Sequence, residues 1–168
     1  MFYDLLKKCV SLFFHLINLI TGNRIPPFGS AAVVVEQNNR YLVVRLPGNR
    51  VVFPGGFMNW RETPQQSAER EGEEETGMKI QAEDCINVYS LVSDHWTNMS
   101  TNSFVFSGEV VGGRLHPTVE GSACWMSEQE LRLVMSKHSL RILDDYLAYR
   151  KRSQQNQQTS HPTVTRVS

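Results

Sequence analysis

One stretch of this sequence leaves little freedom in what it can become. Thr63 is a hydroxyl N-cap residue, Pro64 stands at the first helical position, Gln66 completes a capping box, and Gly77 follows Thr76 where a helix needs a left-handed residue to stop. Together they predict a helix over Pro64–Thr76. Before it, the β-branched runs Ala31–Glu36 and Arg40–Leu46 are separated by Gln37-Asn38-Asn39 and read as a hairpin. The turn Pro47-Gly48-Asn49 leads into a short strand, Val51–Phe53. After it, strands are expected at Ile86–Val92 and Ser103–Val111 around a polar loop, Ser93–Asn102, with a last strand at Ala123–Met126. Ser127 with Glu130 forms a second capping box, opening a helix over Glu128–Met135. Leu140, Leu143 and Leu147 fall at helical spacing and predict a final amphipathic helix over Leu140–Arg150. From Ser153 to Ser168 no apolar period survives, and a disordered tail is expected.

The first twenty residues are a separate problem. The apolar stretch from Cys9 to Ile20 is interrupted by Ser11, His15 and Asn18, whereas spanning a bilayer takes ~20 mostly apolar residues. A signal peptide fits poorly, because Asp4 and the internal polar positions oppose it and no small-x-small cleavage site follows. A cytoplasmic location is the expectation. Asp4, Lys7, Lys8, Ser11, His15 and Asn18 recur every three to four positions, which draws a narrow polar stripe along an otherwise apolar helix. Such a helix is expected to pack on its own domain or on a second subunit, as in a homodimer, in preference to serving as a membrane-surface anchor. Thr21-Gly22-Asn23 and Pro26-Pro27 end it. The organisation expected is therefore an amphipathic helix over 1–22, one domain over 23–152 and a tail over 153–168.

Charge carries the chemistry. The totals balance, 17 Lys+Arg against 17 Asp+Glu, which argues against bulk nucleic-acid binding. Cys9, Cys85 and Cys124 show no pairing pattern, which excludes a disulfide scaffold and a CxxC-type zinc site. Locally the balance fails: Glu62 to Glu75 contains six glutamates and one arginine, Arg70. Glu71, Glu74 and Glu75 stand at i, i+3 and i+4, so one helical face carries three carboxylates that repel one another. A divalent cation reverses the sign of that interaction. Magnesium takes hard oxygen ligands and keeps water or substrate phosphates in its remaining positions, which suits a partial shell of glutamates better than a ligand such as His95.

The flanks make this pattern specific. Residues 55–78, GGFMNWRETPQQSAEREGEEETGM, resemble the Nudix box, G-x5-E-x7-R-E-U-x-E-E-x-G-U with U apolar. Gly56, Glu62, Arg70, Glu71, Glu74, Glu75, Gly77 and Met78 occupy its slots at the right spacings. Gly72 departs from the pattern where an apolar residue normally packs the helix on the sheet, and Arg61 stands where many relatives have glycine. The resemblance covers most of residues 30–150, including YLVVRLPGNRVVFPGG before the box and VEGSACWMSEQEL near the end.

That resemblance implies an α+β Nudix fold, a mixed β-sheet sandwiched between helices, here with the extra N-terminal helix. It implies hydrolysis of a diphosphate bond in a nucleoside diphosphate-linked substrate, either a nucleoside triphosphate or a nucleoside-diphosphate sugar. The cofactor implied is Mg2+, with Mn2+ also possible, held by Glu71, Glu74, Glu75 and the backbone of Gly56, whose missing side chain lets the main chain approach closely. Arg70 is expected to orient the carboxylates by a bidentate contact with Glu62 or a ligand glutamate. Glu74, Glu75, Arg70, Glu62 and a loop glutamate, Glu120, form the expected catalytic set. Arg45 is a candidate phosphate contact and Trp60 a candidate base-stacking side chain, as are His95 and Trp96; Trp125 reads as core. The alternative is a catalytically weak Nudix-fold module that binds a nucleotide in a regulatory role.

Overall fold

The structure is a computed structural model of the 168-residue chain, and it describes residues 2–22, 24–94, 99–117 and 121–159. A helix, α1 (Phe2–Ile20), precedes the strands β1 (Phe28–Gln37), β2 (Arg40–Leu46), β3 (Arg50–Val52) and β4 (Gly55–Phe57). Then come α2 (Pro64–Thr76), the long strands β5 (Met78–Leu91) and β6 (Thr101–Gly113), β7 (Ser122–Ser127), α3 (Glu128–Val134) and α4 (Lys137–Thr159).

The strands form one mixed sheet in the order β3-β2-β1-β6-β5, with β4 also pairing β1 and β7 also pairing β2. Among the described strand pairs β1 and β6 run parallel, from Phe28 opposite Thr101 to Val35 opposite Gly108, and the others antiparallel. Asn38 and Asn39 both take positive φ, 53° and 58°, the two-residue turn that matches strand twist and joins β1 to β2.

Alternation along β1 builds two cores. Ala31, Val33 and Val35 pack with Leu42, Ala68, Ile80 and Phe106 beneath α2. Val34 faces the other way, with Tyr41, Val43, Leu131, Met135, Leu143 and Tyr146 beneath α3 and α4. The sheet is thus covered by helices on both faces, as an α+β Nudix fold requires. Polar contacts fasten α4 across its face: Tyr89 Oη donates to Asp145 Oδ2 at 2.5 Å, Asn87 Nδ2 donates to the same oxygen at 3.0 Å, and Arg150 pairs with Glu36. Burial pushes the Tyr89 phenol up, while the two donors hold Asp145 below the usual carboxylate range.

Both capped helices form as their sequences indicate. Gln66 N–H donates to Thr63 Oγ1 and Thr63 N–H to Gln66 Oε1, and Gly77 stops α2 at φ +77° with its N–H on Glu73 O. Elsewhere the sequence reading and the structure part. The strand expected from Ile86 to Val92 begins eight residues earlier, at Met78, and ends at Leu91. Its first half, with Gln81, Glu83 and Asp84, has poor strand propensity; the long ladder to β6 and buried Ile80 and Ala82 decide the outcome. Strand β4 carries no β-branched pattern at all. It exists because two glycines let the chain lie against β1, where a Cβ on Gly55 would sit 2.5 Å from Ala31 O. Helix α4 continues to Thr159 where a disordered tail is expected from Ser153. No glycine or proline interrupts Lys137–Thr159, and a docked helix propagates at one hydrogen bond per added residue. Residues 160–168 lie outside the described residues.

Gly72 acquires a reason. It is buried, and a Cβ there would meet Ile80 Cδ1 at 2.6 Å and Val33 Cγ1 at 3.4 Å. The apolar volume the helix position lacks is supplied from β5 by Ile80, so the box helix is seated by an exchange of partners across the interface. Gly72→Leu is therefore expected to cost about 1–3 kcal/mol in denaturant unfolding through overpacking. Adding Ile80→Ala should recover part of that loss, and strictly additive costs would show that the two positions do not share one space.

Candidate active site

Where β4 ends and α2 runs, one guanidinium gathers the acidic cluster. Arg70 grips Glu62 with two nitrogens, Nε to Oε2 at 3.0 Å and Nη2 to Oε1 at 2.6 Å. Its Nη1 donates to Glu71 Oε1 at 2.8 Å and to Glu74 Oε2 at 3.0 Å. Nη2 also reaches Phe57 O at 3.1 Å and Ser67 Oγ at 3.3 Å. The bidentate contact expected from sequence is thus with Glu62, and it is one part of a larger clamp. Glu62 accepts a further hydrogen bond from Asn59 N–H at 2.5 Å, so the 57–62 loop is tied to the helix at a carbonyl and a carboxylate and steadies that carboxylate with its own amide.

The three ligand-type glutamates occupy different environments. The Glu74 side chain is 60% exposed and Glu71 only 13%. Glu75 is buried, and its Oε2 accepts from Gly55 N–H at 2.8 Å. A Cβ added to Gly56 would lie 2.5–2.6 Å from the Glu71 carboxylate, so the backbone there touches that acid directly. Glu62, Glu71, Glu74, Glu75, Arg70 and Gly56 are all brought to one loop and helix junction. Among the described residues no three His, Cys, Asp or Glu side chains stand in ready metal-ligating geometry. The cause is visible: Glu71 and Glu74 are drawn onto Arg70 Nη1, which supplies the positive charge that an acidic helical face needs. The donor set is nonetheless hard oxygen throughout, with a main chain free of a side chain at Gly56, and it suits a magnesium-like cation.

Electrostatics follow from the clamp. The Arg70 guanidinium, with Asn59 N–H and Ser67, lowers the Glu62 carboxyl to about 2, and Glu62 and Glu71 in turn hold the proton on Arg70 more tightly.

Other candidates fall elsewhere. Arg45 is not brought to the glutamates: alternation along β2 puts it on the Tyr41 and Val43 face, opposite α2. There Nε reaches Cys124 Sγ at 3.4 Å and Nη2 reaches Met126 Sδ at 3.7 Å. Trp60 is 94% exposed in the turn after β4. Trp125 packs against the α2-side core, as its strand position suggests. Glu120, His95 and Trp96 lie outside the described residues. Sequence reasoning missed the roles of Gly55 N–H, Asn59 N–H and Phe57 O, because backbone donors and acceptors leave no residue-type signature, and that of buried Ser67, whose hydroxyl meets Arg70 one helical turn away.

A NUDIX domain family model matches residues 26–146. The chain belongs to the Nudix family. It is a hydrolase acting on pyrophosphate bonds, in a family that generally uses divalent metals. A "MutT-like protein" from Streptomyces ambofaciens is 30% identical over 125 residues, 71% of this chain and 78% of that protein. An "ADP-ribose pyrophosphatase" from Methanocaldococcus jannaschii is 31% identical over 86 residues, and the match spans only 50% of that protein. Among solved structures, a NUDIX hydrolase from Nitrosomonas europaea superposes with a TM-score of 0.67 at 26% identity, over 73% of this chain and 90% of that one. A bifunctional NMN adenylyltransferase/ADP ribose pyrophosphatase from Francisella tularensis shares the fold at 19% identity, with a TM-score of 0.65 over 88% of this chain and 48% of that one.

Because Glu62 is charged and gripped in the fold, Glu62→Gln is expected to cost about 1.5–3 kcal/mol near neutral pH, the range for hydrogen bonds to charged groups. Its depressed pKa contributes stability that is present above the unfolded value of ~4.3 and is lost as pH falls toward about 2. Urea midpoints of parent and variant should therefore converge as pH is lowered through that window; a constant gap would place the cost outside the Glu62 charge.

Proposed function

We propose that this Nudix hydrolase is a Mg2+-dependent pyrophosphohydrolase, with Mn2+ an effective substitute. It would cleave the diphosphate bond of a nucleoside diphosphate-linked substrate, a nucleoside triphosphate or a nucleoside-diphosphate sugar. The observation that carries the reading is the convergence of three carboxylates, Glu62, Glu71 and Glu74, on Arg70 against the bare backbone of Gly56, with Glu75 held beside them by Gly55 N–H. The name of one relative, "ADP-ribose pyrophosphatase", lends support to the nucleoside-diphosphate sugar class.

In this reading Glu71, Glu74 and Glu75, with the Gly56 carbonyl, are the groups that would hold the cation. The cation, when bound, neutralises charge on phosphate oxygens and lowers the pKa of water. The protein's own groups do the arranging. Exposed Glu74 is the carboxylate best placed to exchange Arg70 for a new partner. Buried Glu75 keeps its direction through Gly55 N–H, and Arg70 anchored on Glu62 keeps the loop in register while its Nη1 yields Glu71 and Glu74. Glu62 and Arg70 thus act as positioning residues. Glu120 remains a candidate base or further ligand, Trp60 a candidate stacking platform, and the cytoplasm the proposed location. The alternative of a binding module with weak turnover rests on Gly72 and Arg61, and the filling of the Gly72 slot by Ile80 favours the enzyme.

Glu74→Gln and Glu75→Gln are each expected to lower Mg2+-dependent turnover by about 100-fold or more, beyond the range seen for residues that merely support ligands, with unchanged thermal unfolding. A product-resolved screen with Mg2+ and Mn2+ should cover nucleoside triphosphates, nucleoside-diphosphate sugars and ADP-ribose. Parental rates in both variants would refute the metal assignment.

A further inference from the structure

Helix α1 is mounted the reverse of the usual way. An amphipathic helix normally buries its apolar face and shows its polar stripe to water. Here the described polar residues, His15 and Asn18, face the domain. His15 Nε2 shares a hydrogen bond with Ser93 Oγ at 3.2 Å, and Asn18 Oδ1 accepts from Ile25 N–H at 3.1 Å. Phe14, next to the stripe, packs edge-on against Phe28 with ring centroids 4.6 Å apart. The opposite side is left in water: Leu12, Phe13, Leu16, Leu19 and Ile20 are between 55% and 76% exposed. These five large side chains follow helical spacing and form a continuous strip, where scattered single apolar residues would need no explanation.

We propose that this strip seats the protein on the surface of a lipid bilayer carrying anionic headgroups. Three observations favour that occupant. Residues 1–24 contain Lys7, Lys8 and Arg24 against Asp4 alone, and Arg24 is exposed at the end of the helix, so the segment is complementary to a negative surface. Among the described residues the strip offers five large side chains, fewer than the roughly 20–30 residues a side of a stable protein interface. An aromatic row continues from the helix: Phe28 contacts Phe57, the last residue of β4, at 6.3 Å between centroids, and the 94% exposed Trp60 stands in the loop that follows, beside the active site. Tryptophan is a residue type enriched where membrane meets water. No helix among the described residues is long and apolar enough to cross a membrane, so the contact lies in the interface plane. The consequence is that the hydrolase works with its catalytic loop beside a lipid surface.

The test is flotation of the full chain with vesicles of phosphatidylcholine, with and without phosphatidylglycerol. Binding is expected with the anionic vesicles and at least tenfold less with phosphatidylcholine alone. Leu16→Asp combined with Leu19→Asp, both on exposed side chains, should reduce the bound fraction tenfold or more with unchanged helicity and unfolding temperature. Lys7→Ser with Lys8→Ser, which keeps the apolar strip, should weaken binding to the anionic vesicles alone. Absence of flotation with either vesicle, or parental flotation by the Leu16/Leu19 variant, would overturn the proposal. So would a parental dimer by light scattering that the Leu16/Leu19 variant converts to monomer without any vesicle binding, since the strip would then belong to a second copy.

Discussion

Three glutamates at i, i+3 and i+4 on one helical turn repel one another, and this chain spends a single guanidinium on the problem. Arg70 is held by Glu62 through two hydrogen bonds and extends Nη1 to Glu71 and Glu74, so one cation neutralises several acids. Because Glu62 and the Phe57 carbonyl come from the loop and the rest from α2, the same cation also joins the two parts of the site. Loop shape, carboxylate direction and local charge are consequently one coupled system. Exposed Glu74 is its loosest member and buried Glu75 its firmest, an asymmetry that suits a site in which a metal exchanges while the scaffold stays still.

That scaffold is stiff because α2 is specified at three levels that agree. Its caps close both ends, its small residues Ala68 and Gly72 let it lie close to the sheet, and Ile80 and Val33 rise from the sheet to meet it. A large residue at Gly72 would be the ordinary solution to the same packing problem. Supplying the volume from the strand instead keeps the interface filled, which is why a departure from the family's pattern leaves the site assembled. Glycine serves a different purpose on the facing strand, where Gly55 and Gly56 let backbone reach β1, Glu75 and Glu71.

Much of this was legible in the chain. The Thr63 and Ser127 capping boxes, the Gly77 stop, the Asn38-Asn39 turn and the box spacing are local, short-range signals, and each appears in the structure where its residues stand. Less was legible where pairing outweighs propensity. The polar first half of β5 is a strand because β6 is there to receive it, and Gly55–Phe57 is a strand because β1 lies within reach. Arg45 shows the limit for sites: its place before the box suggested a phosphate path, and the two-residue period of β2 turned it to the other face of the sheet.

The N-terminal helix draws the same boundary most sharply. Its periodic polar stripe is written in residues 4 to 18, and so are its amphipathic character and its inability to span a bilayer. Which side faces the protein is not written there, because that choice is made by Ser93, Ile25 and Phe28, partners supplied by other parts of the chain. Residue types and spacings along the chain were enough for the family, the carboxylate set and the capped helices, all of which act over a turn or two of backbone. Tertiary structure alone chose the Glu62 partner of Arg70, the Ile80 filling of the Gly72 slot, the face of Arg45 and the outward apolar strip of α1. Each of those is set by contacts between different elements, eight or more residues apart, whose energy exists only once the fold has brought them together.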